Sequence, residues 1–183
     1  MMNEVQNNYR FKTTGEKFMR AAVAVVENQD NELILIKRSI RKGDPWSGHI
    51  GFPGGRGEEI DYGNPLQTAM RETFEEIGLE LSEDEFIEEL PPIITEKEMK
   101  GIRLELRPYK FKLGLKPCLV LDPNEVQEVI LLPMEEVING TKTENGNFIL
   151  VDGQTHELPF LPLPDGNKVW GLTLKILQGL SRR

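Results

Sequence analysis

Short aliphatic runs and one amphipathic stretch organise this chain. Ala21–Val26 and Glu32–Lys37 are aliphatic or β-branched, and the polar Asn28-Gln29-Asp30-Asn31 between them predicts a β-hairpin. A Gly- and Pro-rich loop covers residues 43–63. Beyond it, Leu66, Ala69, Met70, Thr73, Phe74 and Ile77 follow the i, i+3, i+4, i+7 spacing of a helix with one inward face. Pro91-Pro92 interrupts the chain before a long strand predicted over Ile102–Leu113. Val126–Leu132 is another apolar run, stopped by Pro133, and positions 169, 172, 173, 176, 177 and 180 predict a one-faced helix over Val169–Leu180. Strands and helices are mixed, and neither a repeat nor an interdomain linker is visible. The pattern predicts one α/β (α+β) unit over residues 20–183, layered α/β/α, behind a polar N-terminal arm of residues 1–19.

The helix over residues 64–78 has clear ends: Asn64 suits the N-cap, Pro65 the first helical position and Gly78 the left-handed position after the last turn. Its outward face breaks local rules. At 100° per residue, Glu72, Glu75 and Glu76 share an arc of roughly 100° away from the apolar stripe. Glu72 and Glu76 form a like-charge i, i+4 pair that costs an isolated helix about 0.2–0.5 kcal/mol. All three lie in the last turns, where the helix dipole favours cations instead. Several local penalties at one place mark a functional site, and a divalent cation would convert the repulsion into ligation. Arg71, four residues before Glu75, is placed to orient that carboxylate. An acidic solvent face would explain the glutamates alone equally well. Phe52-Pro53-Gly54-Gly55 upstream shifts the balance, because glycine lets the backbone approach a metal or a phosphate without a Cβ in the way.

Composition narrows the partners. With 183 residues the chain can bury a real core, and a formal charge of -8 with a pI near 5.0 excludes broad attraction to nucleic acid or to an anionic membrane. An anionic small molecule would then need local help from placed arginines or a bound cation. Cys118 is the single cysteine, so no intrachain disulfide is possible. The first eighteen residues lack the apolar stretch of a signal peptide, and no apolar run reaches membrane-spanning length. A soluble cytoplasmic protein, monomer or homodimer, is the expectation.

Gly54-Gly55 followed by Arg71-Glu72-Thr73-Phe74-Glu75-Glu76-Ile77-Gly78-Leu79 resembles the Nudix box: Gly, five residues, Glu, seven residues, then Arg-Glu-(aliphatic)-x-Glu-Glu-x-Gly-(aliphatic). The second half matches closely. In the first half Asp61 stands where the Glu is counted from Gly55, and nine residues rather than seven separate it from Arg71, which weakens any role for Asp61. Leu35-Ile36-Lys37-Arg38-Ser39, followed by Gly48-His49-Ile50-Gly51-Phe52-Pro53-Gly54-Gly55, is similar to the signature of coenzyme A pyrophosphatase-type Nudix hydrolases. That signature has a second Arg where this chain has Gly43, with Arg41 or Lys42 as substitutes.

The resemblance implies an α/β/α sandwich with a mixed sheet and a hydrolase using Mg²⁺, with Mn²⁺ as a substitute. It implies metal binding by Glu72, Glu75 and Glu76, catalytic roles for Glu72, Glu75 and Arg71, and a possible contribution from the carbonyl of Gly54 or Gly55. The water-activating base is left between Glu72 and a loop carboxylate such as Glu96 or Glu98. Arg38 is the first candidate for a diphosphate contact and Arg56 the second, because a guanidinium fork grips phosphate oxygens; a solvated surface charge is an equal alternative for both. His49 is placed either as a phosphate donor or as a structural loop residue. Trp46 reads as packing more than as a base platform, Trp170 as core, and Glu125 and Glu128 as strand flanks, with metal binding the lesser alternative. The implied substrate is a nucleoside-diphosphate derivative, coenzyme A or an acyl-CoA first, then ADP-ribose or a nucleoside triphosphate. A nucleotide-binding module without catalysis is the competing class.

Overall fold

The computed structural model describes residues 18–42, 44, 46–95, 103–139, 142–150 and 153–181. The polar arm, apart from its last two residues, and both Glu96 and Glu98 lie outside the described residues. The predicted hairpin is present: β1 (Phe18–Glu27) turns back into β2 (Glu32–Arg38). The Asn28 side chain closes the turn by accepting from the amides of Asp30 and Glu32, and Asn31 takes the left-handed conformation that asparagine tolerates. Next come β3 (Ile50–Gly51), β4 (Gly54–Arg56), α1 (Pro65–Ile77), β5 (Phe86–Glu89), β6 (Ile93–Ile94) and β7 (Arg103–Lys112). The chain continues through β8 (Val126–Pro133), α2 (Met134–Ile138), β9 (Glu144–Ile149), β10 (Thr155–Pro162), β11 (Lys168–Trp170) and α3 (Gly171–Leu180).

Among the described residues one sheet holds eight strands in the order β3-β2-β1-β7-β5, with β4 on β1, β6 on β7 and β8 on β2. β1 and β7 run parallel and the other pairs antiparallel, so the sheet is mixed as expected. Alternation along β2 shows why it is buried on both faces. Leu33 and Leu35 join a core with Val137, Leu174 and Leu177 on the α2 and α3 side, while Ile34 and Ile36 join a core with Leu66, Ala69 and Ile77 of α1. Helices therefore cover both faces, giving the α/β/α sandwich. Among the described residues no helix is long and apolar enough to cross a membrane.

Two expectations are corrected. The C-terminal helix starts at Gly171, because residues 168–170 are extended and pair with β10 to complete a second sheet, β11-β10-β9, that the hydrophobic pattern does not announce. Trp170 is accordingly half-buried on a strand instead of lying in the core. In α1, Phe74 is 55% exposed and Glu76 only 1%. The inward face is centred between Ala69 and Ile77, so the helix turns a glutamate, not a phenylalanine, toward the protein.

Candidate active site

The Gly54-Gly55 strand connects the sheet to α1. β4 pairs with β1 in the register Val23↔Gly54, Ala22↔Gly55, Ala21↔Arg56, and Ala24 N donates to Pro53 O at 2.8 Å. Gly54 has φ 149, and a Cβ there would fall 2.3 Å from Ala22 O and 2.6 Å from Val23 Cα, so a side chain cannot be accommodated. At Gly55 a Cβ would fall 2.3 Å from Glu72 Cδ. Gly54 thus lets β4 lie close on β1, and Gly55 lets the Glu72 carboxylate come against the backbone of β4.

Glu76 is the most unusual of these groups. Its Oε2 accepts from Gly54 N at 2.8 Å, while its buried Oε1 has no hydrogen-bond partner and faces Arg38 Nη1 at 3.6 Å, too long for a hydrogen bond. Burial pushes its pKa up to about 8; the Gly54 amide and Arg38 work against that rise, and Glu72 and Glu125 add to it. Glu72 is also pushed up, first by burial, with Arg71 opposing and Glu75 and Glu125 assisting. Glu75 is turned away: its side chain is about half exposed and accepts from Arg71 Nη1 at 2.8 Å. The expected acidic trio is therefore divided, with Glu72 and Glu76 against the glycines and Glu75 on the rim. Among the described residues no three Asp, Glu, His or Cys side chains are already gathered to hold an ion.

Arg71 is fixed from several sides. Its Nε and Nη2 donate to the two oxygens of Asp61 at 2.9 and 3.1 Å, Nη2 also donates to Arg56 O at 3.0 Å, and Nη1 lies 2.9 Å from Glu72 Oε1. These partners hold its pKa above the ordinary arginine value despite burial. Arg71 orients carboxylates and has little left for a substrate. Asp61 is 3% exposed and also accepts from Thr68 Oγ1 at 2.9 Å and Glu58 N at 2.8 Å. Burial alone would raise the Asp61 carboxyl, but Arg71, the Glu58 amide and Thr68 outweigh it and hold it low. The weak case for Asp61 is thus corrected: a 3-10 turn at Glu59–Asp61 and left-handed backbone at Tyr62 and Gly63 absorb the longer loop and bring the shorter acid to Arg71.

Arg38 reaches the site from the end of β2. Its Nη2 donates to Asp44 Oδ2 at 3.3 Å, and its Nε is buried without a hydrogen-bond partner. Asp44 was missed by sequence reasoning; its other oxygen accepts from Trp46 N at 3.0 Å. Burial would raise the Asp44 carboxyl, but the Trp46 amide and Arg38 outweigh it and hold it low. His49 is half-buried, and its carbonyl accepts from Arg38 N at 3.0 Å. Burial lowers the pKa of its ring, Arg38 lowers it further and Asp44 opposes them, which favours the neutral imidazole. Arg56 is exposed on β4, and the contact it makes to the site is through its carbonyl. The sequence reads Glu125 first as a strand flank, with metal binding the lesser alternative. Its negative charge adds to the rise of both Glu72 and Glu76, and Arg41 Nη2 lies 3.4 Å from its Oε1. Glu128 instead pairs with Lys37 at 3.0 Å, on the opposite face from Arg38.

The NUDIX domain family matches residues 17–151, most of the chain, and the chain belongs to that family. Nudix hydrolase 15, mitochondrial, of Arabidopsis thaliana is 31% identical over 86% of this chain and 56% of its own length. Human mitochondrial coenzyme A diphosphatase NUDT8 is 30% identical over 80% of this chain and 60% of its own length. The chain spans about half the length of the curated relatives it matches. A MutT/nudix family protein from Enterococcus faecalis superposes with TM-score 0.60 at 18% identity, covering 94% of this chain and 64% of its own, which shows the shared fold.

Proposed function

We propose that the chain is a pyrophosphohydrolase that uses a divalent cation to cleave a phosphoanhydride bond in a nucleoside-diphosphate derivative, with coenzyme A or an acyl-CoA as the leading substrate. The observation that carries this reading is Glu76. A buried carboxylate with an unpartnered oxygen, beside a second raised carboxylate, is costly unless a cation completes it. Hard carboxylate oxygens suit Mg²⁺, and the residues present fit that ion. Glu72 and Glu76 would hold it, with Glu75 and Glu125 at the rim and a Gly54 or Gly55 carbonyl nearby. When bound, Mg²⁺ neutralises phosphate oxygens and positions a water.

The chain's own residues supply the rest. Asp61 and Arg71 fix the orientation of Glu72, and Arg38, at the end of β2 and facing Glu76, would bring its guanidinium to a diphosphate. Water attacks phosphorus as the P–O–P bridge breaks, and its proton passes to a carboxylate, Glu72 or one of Glu96 and Glu98. The likeness to a coenzyme A diphosphatase and the Arg38–Gly55 signature support coenzyme A over ADP-ribose and nucleoside triphosphates. The test is a Mg²⁺-dependent screen of coenzyme A, ADP-ribose, dinucleoside polyphosphates and nucleoside triphosphates, with Glu76→Gln as control. Release of adenosine 3′,5′-bisphosphate from coenzyme A, lost in Glu76→Gln, is expected. Nucleotide binding with no Mg²⁺-dependent product from any of these would replace the hydrolase with a binding module, and full turnover by Glu76→Gln would remove Glu76 from the metal site.

A further inference from the structure

Both tryptophans of the chain sit in one aromatic row beside Arg38, outside the two hydrophobic cores. The ring centroids of Trp46 and His49 are 6.1 Å apart, those of His49 and Trp170 4.7 Å, and those of Trp170 and Phe148 4.5 Å. All four residues are partly exposed. The row is braced from behind: Phe148 packs edge-on against the buried Phe160, and Lys168 Nζ lies 4.5 Å from the Phe160 ring centroid. Trp170 is on a strand beyond residues 17–151, which match the NUDIX domain, and Phe148 is on the strand next but one to it. The row is therefore built jointly by the second sheet and by the loop that carries Trp46 and His49.

Asp44 ties this row to the arginine. One of its oxygens receives Arg38 and the other receives the Trp46 amide, so the guanidinium and the first ring are held at a fixed offset. His49 is tied in as well, since Arg38 N donates to its carbonyl. Neutral, half-buried rings at this spacing offer a π surface without a competing charge. Centroids 4.5–6.1 Å apart leave no slot between neighbours for another ring, and with Trp46 tilted 50° to His49 and His49 63° to Trp170 a flat ligand stacks on the face of one ring, Trp46 first, and meets the edge of the next. We infer that Trp46, His49 and Trp170 form a subsite for the base of the substrate, with Asp44 as the positioning residue that sets its distance from the phosphate-binding Arg38. This deepens the hydrolase reading and shares with it the assignment of Arg38.

Because Trp46 and Trp170 are the chain's two tryptophans, intrinsic fluorescence reports this subsite directly. The full chain is titrated with AMP and, separately, with ribose 5-phosphate, which differ by the base and contain no phosphoanhydride to cleave. Excitation is at the red edge of the tryptophan band, where the base does not absorb. Saturable quenching by AMP that ribose 5-phosphate does not reproduce is expected. Trp46→Leu should weaken AMP binding by at least about fivefold, the range of one lost base–aromatic stack, and Trp46→Phe should restore most of it. Asp44→Asn should weaken AMP binding with both tryptophans intact. Thermal melting of each variant shows whether it is folded, and Trp170→Leu provides a second test from the other sheet. Equal responses to AMP and ribose 5-phosphate, or folded Trp→Leu variants that bind AMP as the parent does, would overturn the subsite. Base-dependent quenching in a protein that hydrolyses nothing would keep the subsite and remove the hydrolase. Hydrolysis with no base-dependent quenching would do the reverse.

Discussion

Replacing Glu76 by Gln keeps the side chain's shape and removes its charge, and the structure sets the size of the effect. The carboxyl is 1% exposed and its pKa rises from 4.5 to about 8, so solvent does little to screen it. A raised carboxyl pKa means that the folded state holds its proton more tightly than the unfolded chain does. The stability this group contributes is fully present below pH 4.5 and is lost as pH rises through about 8. With about 1.4 kcal/mol per unit, the metal-free protein should lose about 3 kcal/mol from this group by pH 7 and nearly 5 kcal/mol above pH 8. Urea unfolding in excess chelator at a series of pH values, for the parent and for Glu76→Gln, isolates the term as the difference between two curves. The variant should match the parent near pH 4.5 and exceed it by about 3 kcal/mol at pH 7, less whatever its new amide loses by facing Arg38. Mg²⁺ should then stabilise the parent and not the variant. Parallel pH curves for the two proteins would show that Glu76 is not a strained buried charge, and the argument for a cation there would lose its basis.

Three further outcomes follow from the same geometry. Gly55→Ala places a Cβ 2.3 Å from the Glu72 carboxyl carbon, so Glu72 must swing away; turnover should fall at least about a hundredfold with the unfolding midpoint little changed, as read by steady-state kinetics and melting. Asp61→Ala leaves the buried guanidinium of Arg71 short of its main partner and should cost about 3–5 kcal/mol in denaturant unfolding. Arg38→Met removes the cation facing Glu76, so KM for a diphosphate substrate should rise at least about tenfold, while the Glu76 pKa moves further up and the pH onset of metal binding moves up with it, as read by Mn²⁺ titration.

Much of the frame was legible because its signals are local. The hairpin turn, the Asn64 and Gly78 caps of α1, the mixed apolar and charged pattern of β7 and the aliphatic run of β8 each rest on residues close together in sequence. Asn64 does cap the helix, accepting from Leu66 N at 3.1 Å. The second sheet was not legible. Glu144–Ile149 contains Asn145-Gly146, which reads as a turn, and β10 contains Pro159 and Pro162, which weaken a strand pattern. Periodicity placed Leu66, Ala69, Thr73 and Ile77 on the inward face of α1 correctly but misplaced Phe74 and Glu76. Leu66, Ala69 and Ile77 set the packed face, and Glu76, next to Ile77, comes inward to meet the Gly54 amide while Phe74 turns outward. Asp61 and Asp44 escaped for a related reason. Each acts on an arginine whose position depends on how a loop folds, and spacing along the chain does not encode that.

Under the proposed function, Glu72 and Glu76 would form the core of a divalent-cation site beside Gly54-Gly55. Electron paramagnetic resonance of Mn²⁺ titrated into the full chain measures this without any substrate or turnover. Saturable binding in the parent that is competed by Mg²⁺, and that is lost in folded Glu76→Gln and weakened in Glu72→Gln, is the predicted result. Mn²⁺ binding of equal strength in the parent and in both variants would contradict it.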